Sequence, residues 1–149
     1  MEDKTQKTEE CGFYGAETVP ETLRALYRTL RRVWCRESCA PRLRGEWSPD
    51  NPTLGQCSIT AFLVQELFGG TVYGVPLPDG NFHCWNEIGA YRFDLTSEQF
   101  GGERLNYENN PVQQREKHLA DADKRARYEL LKERFLKLSE EEGLMWKLP

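Results

Sequence analysis

The chain has 149 residues, which suits one domain, and 38% of them are hydrophobic, which is enough for a sizeable core. The net charge is −4 and no stripe of basic residues occurs, which argues against nucleic acid or an anionic membrane surface as a partner. No apolar run approaches the roughly 20 residues that span a bilayer, and the charged N-terminus MEDKTQKTEE has no hydrophobic signal segment. These features predict a cytoplasmic protein without membrane contact.

The first predicted element is a helix that follows a polar tail. Residues 1–17 show no hydrophobic period and are predicted to be disordered, and residues 18–149 are predicted to form a single domain. Thr18 and Glu21 have capping-box spacing, and Pro20 fits a first helical turn. The apolar stripe of this helix comprises Leu23, Leu26, Tyr27, Leu30, Val33 and Trp34.

The stretch GQCSITAFLVQELFGG predicts a second helix that is mostly buried. A long loop over residues 40–56 leads into it, and long loops inside compact domains are often functional. Cys57 is predicted to be the first helical residue, and Gly69 and Gly70 provide the C-terminal stop.

Three strands are predicted next, in TVYGVPL, FHCWNEI and YRFDL, with a PDGN turn after the first and a short turn near Gly89. A loop over about residues 96–112 separates them from a last helix between Ala120 and Leu138. This helix should end before the acidic residues 140–142, because negative charge is unfavourable at a helix C-terminus. The order of elements predicts the α+β class, with a small antiparallel sheet packed against helices.

The five cysteines are predicted to be free thiols, since an odd number in a cytosolic chain argues against a disulfide framework. Cys35 and Cys39 are the closest pair, but no second pair or suitable histidine lies near them. Cys84 is expected to face the core, and Cys11 is expected to be exposed in the tail. The sequence therefore implies no metal and no organic cofactor.

Cys57 has the position of a nucleophile. At a helix start the backbone N–H groups and the helix dipole favour negative charge, which lowers the pKa of a thiol from its ordinary value of about 8.5. The same N–H groups can hold a developing oxyanion. A cysteine that opens an apolar helix can also be a buried, inert residue, so this alternative stays open.

A nucleophilic thiol needs a base, and the sequence offers two histidines. His118 lies in a charged stretch that is expected to be exposed, whereas His83 lies in the second predicted strand. A turn at the Gly-Ala pair after this strand places Glu87 opposite Arg92, and Ile88 opposite the first residue of the next strand.

In this register His83 and Trp85 share a face of the sheet with Asp94. The arrangement predicts a Cys-His-Asp triad, in which Cys57 attacks, His83 acts as base and then acid, and Asp94 orients His83. A slip of one residue would turn Asp94 away, and Asn86 would then be the candidate orienter. His83 could instead be a satisfied core histidine, and Asp94 could cap a turn.

Other residues could complete a substrate site. Gln56 could donate its amide to an oxyanion beside the backbone N–H of Cys57, or could satisfy loop backbone. Trp47 and Trp85, with the SPDNP loop, could form the wall of a pocket or could be ordinary packing. The C-terminal GLMWKLP could dock on this chain or on another, with Trp146 as its anchor.

The segments WSPDNPTLGQCSITAFLVQELFGG, HCWNEI and FDLTSEQF together resemble the YunG-like family of small bacterial proteins. The resemblance runs from about Trp47 to Phe100, with a weaker likeness in YELLKERFLKL, and it implies a family rather than an activity. On this view, the shared motif residues are Gly55, Gln56, Cys57, His83, Asn86, Asp94 and Gln99.

The order Cys, His, Asp is also similar to that of papain-like and transglutaminase-like cysteine enzymes, which implies a core of that type. The Cys-Gly-x-Cys-Trp signature of papain is absent, which makes peptidase activity the least supported. The first hypothesis is therefore a cysteine-dependent hydrolase, deamidase or acyltransferase that acts on a small-molecule or peptide amide. The alternative is a non-catalytic binding or regulatory domain of the same fold. The oligomeric state is left open.

Overall fold

The structure is a computed structural model that describes residues 11–149. The helices are α1 (Glu21–Arg31), α2 (Cys57–Phe68), α3 (Arg115–Leu119) and α4 (Ala122–Glu141), and the strands are β1 (Thr71–Pro76), β2 (Phe82–Ile88) and β3 (Tyr91–Phe93). The strands form one antiparallel sheet in the order β1-β2-β3. None of the helices in residues 11–149 is long and apolar enough to cross a membrane. The predicted α+β class and small antiparallel sheet are confirmed.

The register of the β2–β3 hairpin agrees with the sequence analysis. Glu87 pairs with Arg92, and Ile88 pairs with Tyr91. Regular pairing stops at Phe93, and the next residue, Asp94, forms a bridge to Tyr14 instead of continuing opposite β2. The Asp94 N–H donates to the Tyr14 carbonyl at 3.0 Å, so a segment before α1 holds the end of β3 in place.

The main core lies between the helices and one face of the sheet. Helix α2 is buried from Ser58 to Val64, because it packs against both β2 and α4. Cys84 points from β2 into this core, as predicted. The opposite face of the sheet is also covered, since Trp85 packs with Val75 and Tyr107 in a second, smaller cluster. The sheet therefore carries its polar site residues in a buried layer rather than on an open surface.

The predicted disordered tail is wrong for residues 11–17, and residues 1–10 lie outside the described residues. Cys11, expected to be exposed, is 7% exposed, and Phe13 is 2% exposed in the main core. At Gly15, with φ +90°, an added Cβ would lie 2.2 Å from the Arg92 carbonyl oxygen. Cys11, Phe13 and Ala16 are too few to show a hydrophobic period, yet all three lie in the main core and anchor this segment.

The start of α1 and the end of α4 differ from the predictions. Helix α1 begins after Pro20 without a side-chain cap, because the Thr18 hydroxyl donates to the Gly15 carbonyl instead. Helix α4 continues to Glu141, into the acidic run that was expected to end it. Arg32 donates to Glu142 at 2.9 Å and supplies positive charge at this helix end.

The C-terminal segment docks on this chain. The Trp146 indole N–H donates to the Ser139 hydroxyl at 3.0 Å, and its ring packs on Phe135. Trp146 therefore anchors the last residues to α4.

Gly55 fixes the path of the chain into α2. Its φ is +71°, and an added Cβ would lie 2.5 Å from Cys39 Sγ and 2.8 Å from the Ala40 nitrogen. Only glycine fits this conformation and this close approach without strain. The Ala40 N–H donates to the Gly55 carbonyl at 2.9 Å, which ties the two ends of the loop together. The loop therefore delivers Cys57 to a defined position.

Candidate active site

Cys57 is the first residue of α2 and is half-buried. Gln56 precedes it as the N-cap residue but provides no side-chain cap. Among the described residues, the backbone N–H groups of Cys57 and Ser58 have no hydrogen-bond partner. Free N–H groups at a helix start attract negative charge, and the helix dipole adds to this effect. Sequence analysis predicted this position, and the structure has the helix beginning there.

His83 and Asp94 form a buried pair beside Cys57. The His83 Nε2 lies 2.6 Å from the Asp94 Oδ2, and each side chain is 1% exposed. The Cys57 side chain lines the same cleft as His83, close enough for the imidazole to lower the pKa of the thiol. The sulfur also lies 3.9 Å from the Phe82 carbonyl oxygen. The imidazole is thus fixed by a carboxylate and lies beside a thiol.

The Asp94 carboxylate is fixed at both oxygens. Its Oδ1 accepts from the backbone N–H and the hydroxyl of Thr96, at 3.2 and 3.3 Å. Its Oδ2 accepts from the Tyr107 hydroxyl at 2.8 Å, in addition to the contact with His83. Burial and the Asp94 charge raise the pKa of Tyr107, so the phenol stays protonated and donates. Asp94 therefore both caps the turn and orients the imidazole, which the sequence analysis treated as alternatives.

The protonation states of Cys57 and His83 follow from their contacts. Burial raises the pKa of the Cys57 thiol, but the hydrogen bond and charge of His83 and the N–H of Cys84 outweigh it, and the pKa lies below its ordinary value. Burial lowers the pKa of His83, but the Asp94 carboxylate and the contact with Cys57 outweigh it and raise the pKa to about 10. These opposite shifts favour transfer of the thiol proton to the imidazole, which gives a thiolate next to an imidazolium.

Gln99 completes the contacts of His83. Its Nε2 lies 3.3 Å from the His83 Nδ1 and donates to the Thr96 carbonyl at 3.2 Å. Its Oε1 accepts from the Gly55 N–H at 3.4 Å. The side chain therefore joins the loop that precedes Cys57 to the base, a role that the sequence analysis did not give it.

A cleft of about 690 Å³ opens over Cys57 and His83. Its walls come from the loop before α2, the turn between β1 and β2, the short helical turn Ser97–Phe100, and the facing parts of α3 and α4. The Phe100 ring meets the His83 ring edge-on, with 4.8 Å between ring centroids. The thiol is therefore accessible to a small molecule, whereas the imidazole behind it is shielded.

The structure does not bring Gln56 or Asn86 to this cleft. The Gln56 side chain is fully buried, donates to the Cys35 carbonyl at 3.0 Å and accepts from the Ser38 hydroxyl at 2.8 Å. The Asn86 amide donates to the Ala61 carbonyl of α2 at 2.9 Å, on the core side of the sheet. Gln56 thus satisfies loop backbone, which was the alternative to an oxyanion role, and Asn86 ties β2 to α2.

The two candidate tryptophans also lie outside the cleft. The Trp85 indole donates to the Asn110 Oδ1 at 2.8 Å and is 1% exposed in the second cluster. The Trp47 indole donates to the Pro52 carbonyl at 3.1 Å, and Arg36 lies over its ring. Both are packing residues rather than pocket walls.

The sequence analysis did not place His118 and Lys124 at the cleft, because both lie in charged stretches without a hydrophobic pattern. His118 was expected to be exposed, but it is half-buried at the cleft wall, next to Lys124. The His118 ring packs on Phe62 of α2, with 5.0 Å between ring centroids. Short helix α3 brings it there, and a five-residue helix has too few turns for a periodic pattern.

The comparisons with known proteins agree with the resemblance in the sequence. The model of the family described as YunG protein matches residues 22–140, so the chain belongs to the YunG family. The protein named "Uncharacterized protein YunG" of Bacillus subtilis (strain 168) is 33% identical over 106 residues, which cover 71% of this chain and 84% of the relative. No solved structure matches.

Proposed function

We propose that this chain is a cysteine-dependent enzyme that acts on an amide or acyl group, as a hydrolase, deamidase or acyltransferase. The observation that carries the proposal is the His83 ring, which contacts the Asp94 carboxylate at 2.6 Å and lines one cleft with Cys57, whose thiol pKa it lowers. A nucleophile, a base and a residue that orients the base are the three parts of the cysteine and serine hydrolase arrangement.

The position of Cys57 adds a place for a developing negative charge. The N–H groups of Cys57 and Ser58 are free at the start of α2, and a carbonyl oxygen next to the sulfur would lie near them. Backbone donors that are already in place stabilise an oxyanion without reorganisation, and removing one such donor typically costs about 100- to 1,000-fold in rate. Gln56 is not needed for this role.

The reaction is a two-step acyl transfer. The Cys57 thiolate attacks the carbonyl carbon, and the C=O electron pair moves onto oxygen as the C–S bond forms. The tetrahedral intermediate then expels the amine, which takes its proton from the His83 Nδ1, and a thioester remains on Cys57. Water or an amine gives its proton back to Nδ1 and attacks the thioester, which releases the acyl product and restores the thiolate–imidazolium pair.

The order of the residues along the chain supports this chemistry. The cysteine begins a helix, the histidine lies on a following strand, and the acid comes after the next strand, as in papain-like and transglutaminase-like enzymes. Hydrolysis, deamidation and acyl transfer share the thioester. Water resolves it in hydrolysis and in deamidation, where the group released first is ammonia, whereas an amine resolves it in acyl transfer.

Trapping the thioester tests the proposal. We expect p-nitrophenyl acetate to release a burst of nitrophenolate that matches the enzyme concentration, with one acetyl group on the Cys57 peptide by mass spectrometry. An activated ester is the appropriate probe because its leaving group needs no protonation, so acylation can outrun deacylation.

The half-buried Cys35 provides the internal reference, because it is outside the cleft and has no histidine partner in residues 11–149. Acetylation of Cys57 no faster than of Cys35 would contradict the proposal and favour the non-catalytic binding domain.

A further inference from the structure

The charged side chains at the cleft differ in how they are paired. Arg127 donates to the Asp123 Oδ2 at 2.8 Å and to the Ser38 carbonyl at 3.3 Å. Arg42, which lines the cleft, lies 3.8 Å from the Asp79 carboxylate. The positive charge of each arginine is therefore compensated by a carboxylate of the chain itself.

Lys124 is different, because its ammonium contacts a neutral partner. Its Nζ lies 2.9 Å from the His118 Nδ1, and it makes no ion pair with any carboxylate in residues 11–149. The adjacent acid, Asp123, pairs with Arg127, and Asp121 uses its Oδ1 to accept the backbone N–H of Lys124 as the cap of α4. The charge of Lys124 is thus left without a counter-ion.

The His118 ring is held in the tautomer that suits this contact. Its Nε2–H donates to the Gln113 Oε1 at 2.8 Å, so Nδ1 carries the lone pair that faces Lys124. Burial and the charge of Lys124 lower the pKa of His118 to about 4, which keeps the ring neutral at physiological pH. One N–H of the ammonium is used by this contact, and an ammonium has two more to offer.

We propose that Lys124, positioned by His118, binds a carboxylate of the substrate, so that the enzyme acts on a small amide that also carries a free carboxylate. This inference rests on the proposed function, because it assigns Lys124 to the same cleft as Cys57. The uncompensated charge of Lys124 attracts an anionic group to this wall of the cleft. The net charge of −4 repels anions from the rest of the surface.

A pair of alkylating probes that differ only in charge tests this inference. N-iodoacetylglycine carries a carboxylate and N-iodoacetylglycinamide is neutral, and both alkylate a thiolate. At low ionic strength we expect the wild-type protein to alkylate Cys57 faster with the anionic probe. Lys124→Gln should slow the anionic probe about fivefold, the size of a partly exposed ion contact, and leave the neutral probe within about twofold. Lys124→Arg should retain the preference.

Lys117→Gln is the matched control, since it removes the same charge from an exposed position on α3 that does not line the cleft. It should leave both rates unchanged. An unaltered ratio of the two rates in Lys124→Gln, or an equal loss with both probes, would overturn the inference. Slow labelling of wild-type Cys57 by the neutral probe would count against the proposed function alone, because the ratio is still measured and still tests Lys124.

Discussion

Replacement of His83 by glutamine should slow the alkylation of Cys57 by iodoacetamide about tenfold at about pH 6. The hydrogen bond and charge of His83 lower the pKa of the thiol, so their removal returns the thiol toward its ordinary pKa of about 8.5. The thiolate fraction then falls tenfold for each unit that the pKa rises, and greater nucleophilicity recovers part of the loss. Glutamine can still donate to Asp94, which limits the disturbance of the buried pair. The rate constant is measured by mass spectrometry of the Cys57 peptide across the pH range.

The matched control is His118→Gln, the same change at the other histidine of the cleft. His118 contacts Lys124 and Gln113 rather than the thiol, so its replacement should alter the rate by less than about twofold. Equal alkylation rates in the His83 variant and the wild type at about pH 6 would show that the imidazole does not activate Cys57.

Asp94→Asn should lower the pKa of His83 from about 10 toward its ordinary value of 6.5. Burial opposes the imidazolium, and the Asp94 carboxylate is the main influence that outweighs it. Without that negative charge the folded protein loses the proton of His83 within the neutral range, and the thiolate loses its counter-ion. NMR titration of the His83 ring protons measures this shift directly, because the sequence has only two histidines and the pKa of the other lies near 4.

Tyr107→Phe separates the charge of Asp94 from its hydrogen bonds. This variant removes the phenol that donates to the Asp94 Oδ2 but keeps the carboxylate. The pKa of His83 should therefore remain raised in Tyr107→Phe and fall in Asp94→Asn. A His83 pKa that is still about 10 in Asp94→Asn would show that the Asp94 carboxylate does not raise it.

The sequence was sufficient to predict the elements that carry Cys57, His83 and Asp94. A helix start followed by an apolar run, and two alternating strands around a short turn, are local patterns with a fixed geometry. Strand alternation is enough to set the face on which His83 lies, and the observed pairs of the β2–β3 hairpin match the predicted ones.

Contacts between segments that are distant in the sequence could not be predicted from local patterns. Phe13 is buried against Tyr27 of α1, and Tyr14 forms a bridge to Asp94, yet nothing in the sequence around them indicates those neighbours. Gln56 and Gln99 are equivalent as residue types, yet Gln56 turns into the loop and Gln99 reaches His83. The direction of a loop side chain depends on tertiary packing, which has no local pattern in the sequence.

The roles of Lys124 and His118 could not be predicted from the sequence either. Both lie in stretches rich in charge, where each residue alone is typical of a solvated surface. Their role depends on the pairing of every other charge at the cleft, which only the folded arrangement defines.

The protonation state of Cys57 in the wild-type protein is the most direct test of the central claim. The difference in ultraviolet thiolate absorbance between the wild type and Cys57→Ser, followed across the pH range, reports this state without a substrate. The account predicts a thiolate signal that persists well below the ordinary thiol pKa of about 8.5, while His83 stays protonated. A signal that appears only at or above that value would contradict the thiolate–imidazolium pair, and with it the proposed chemistry.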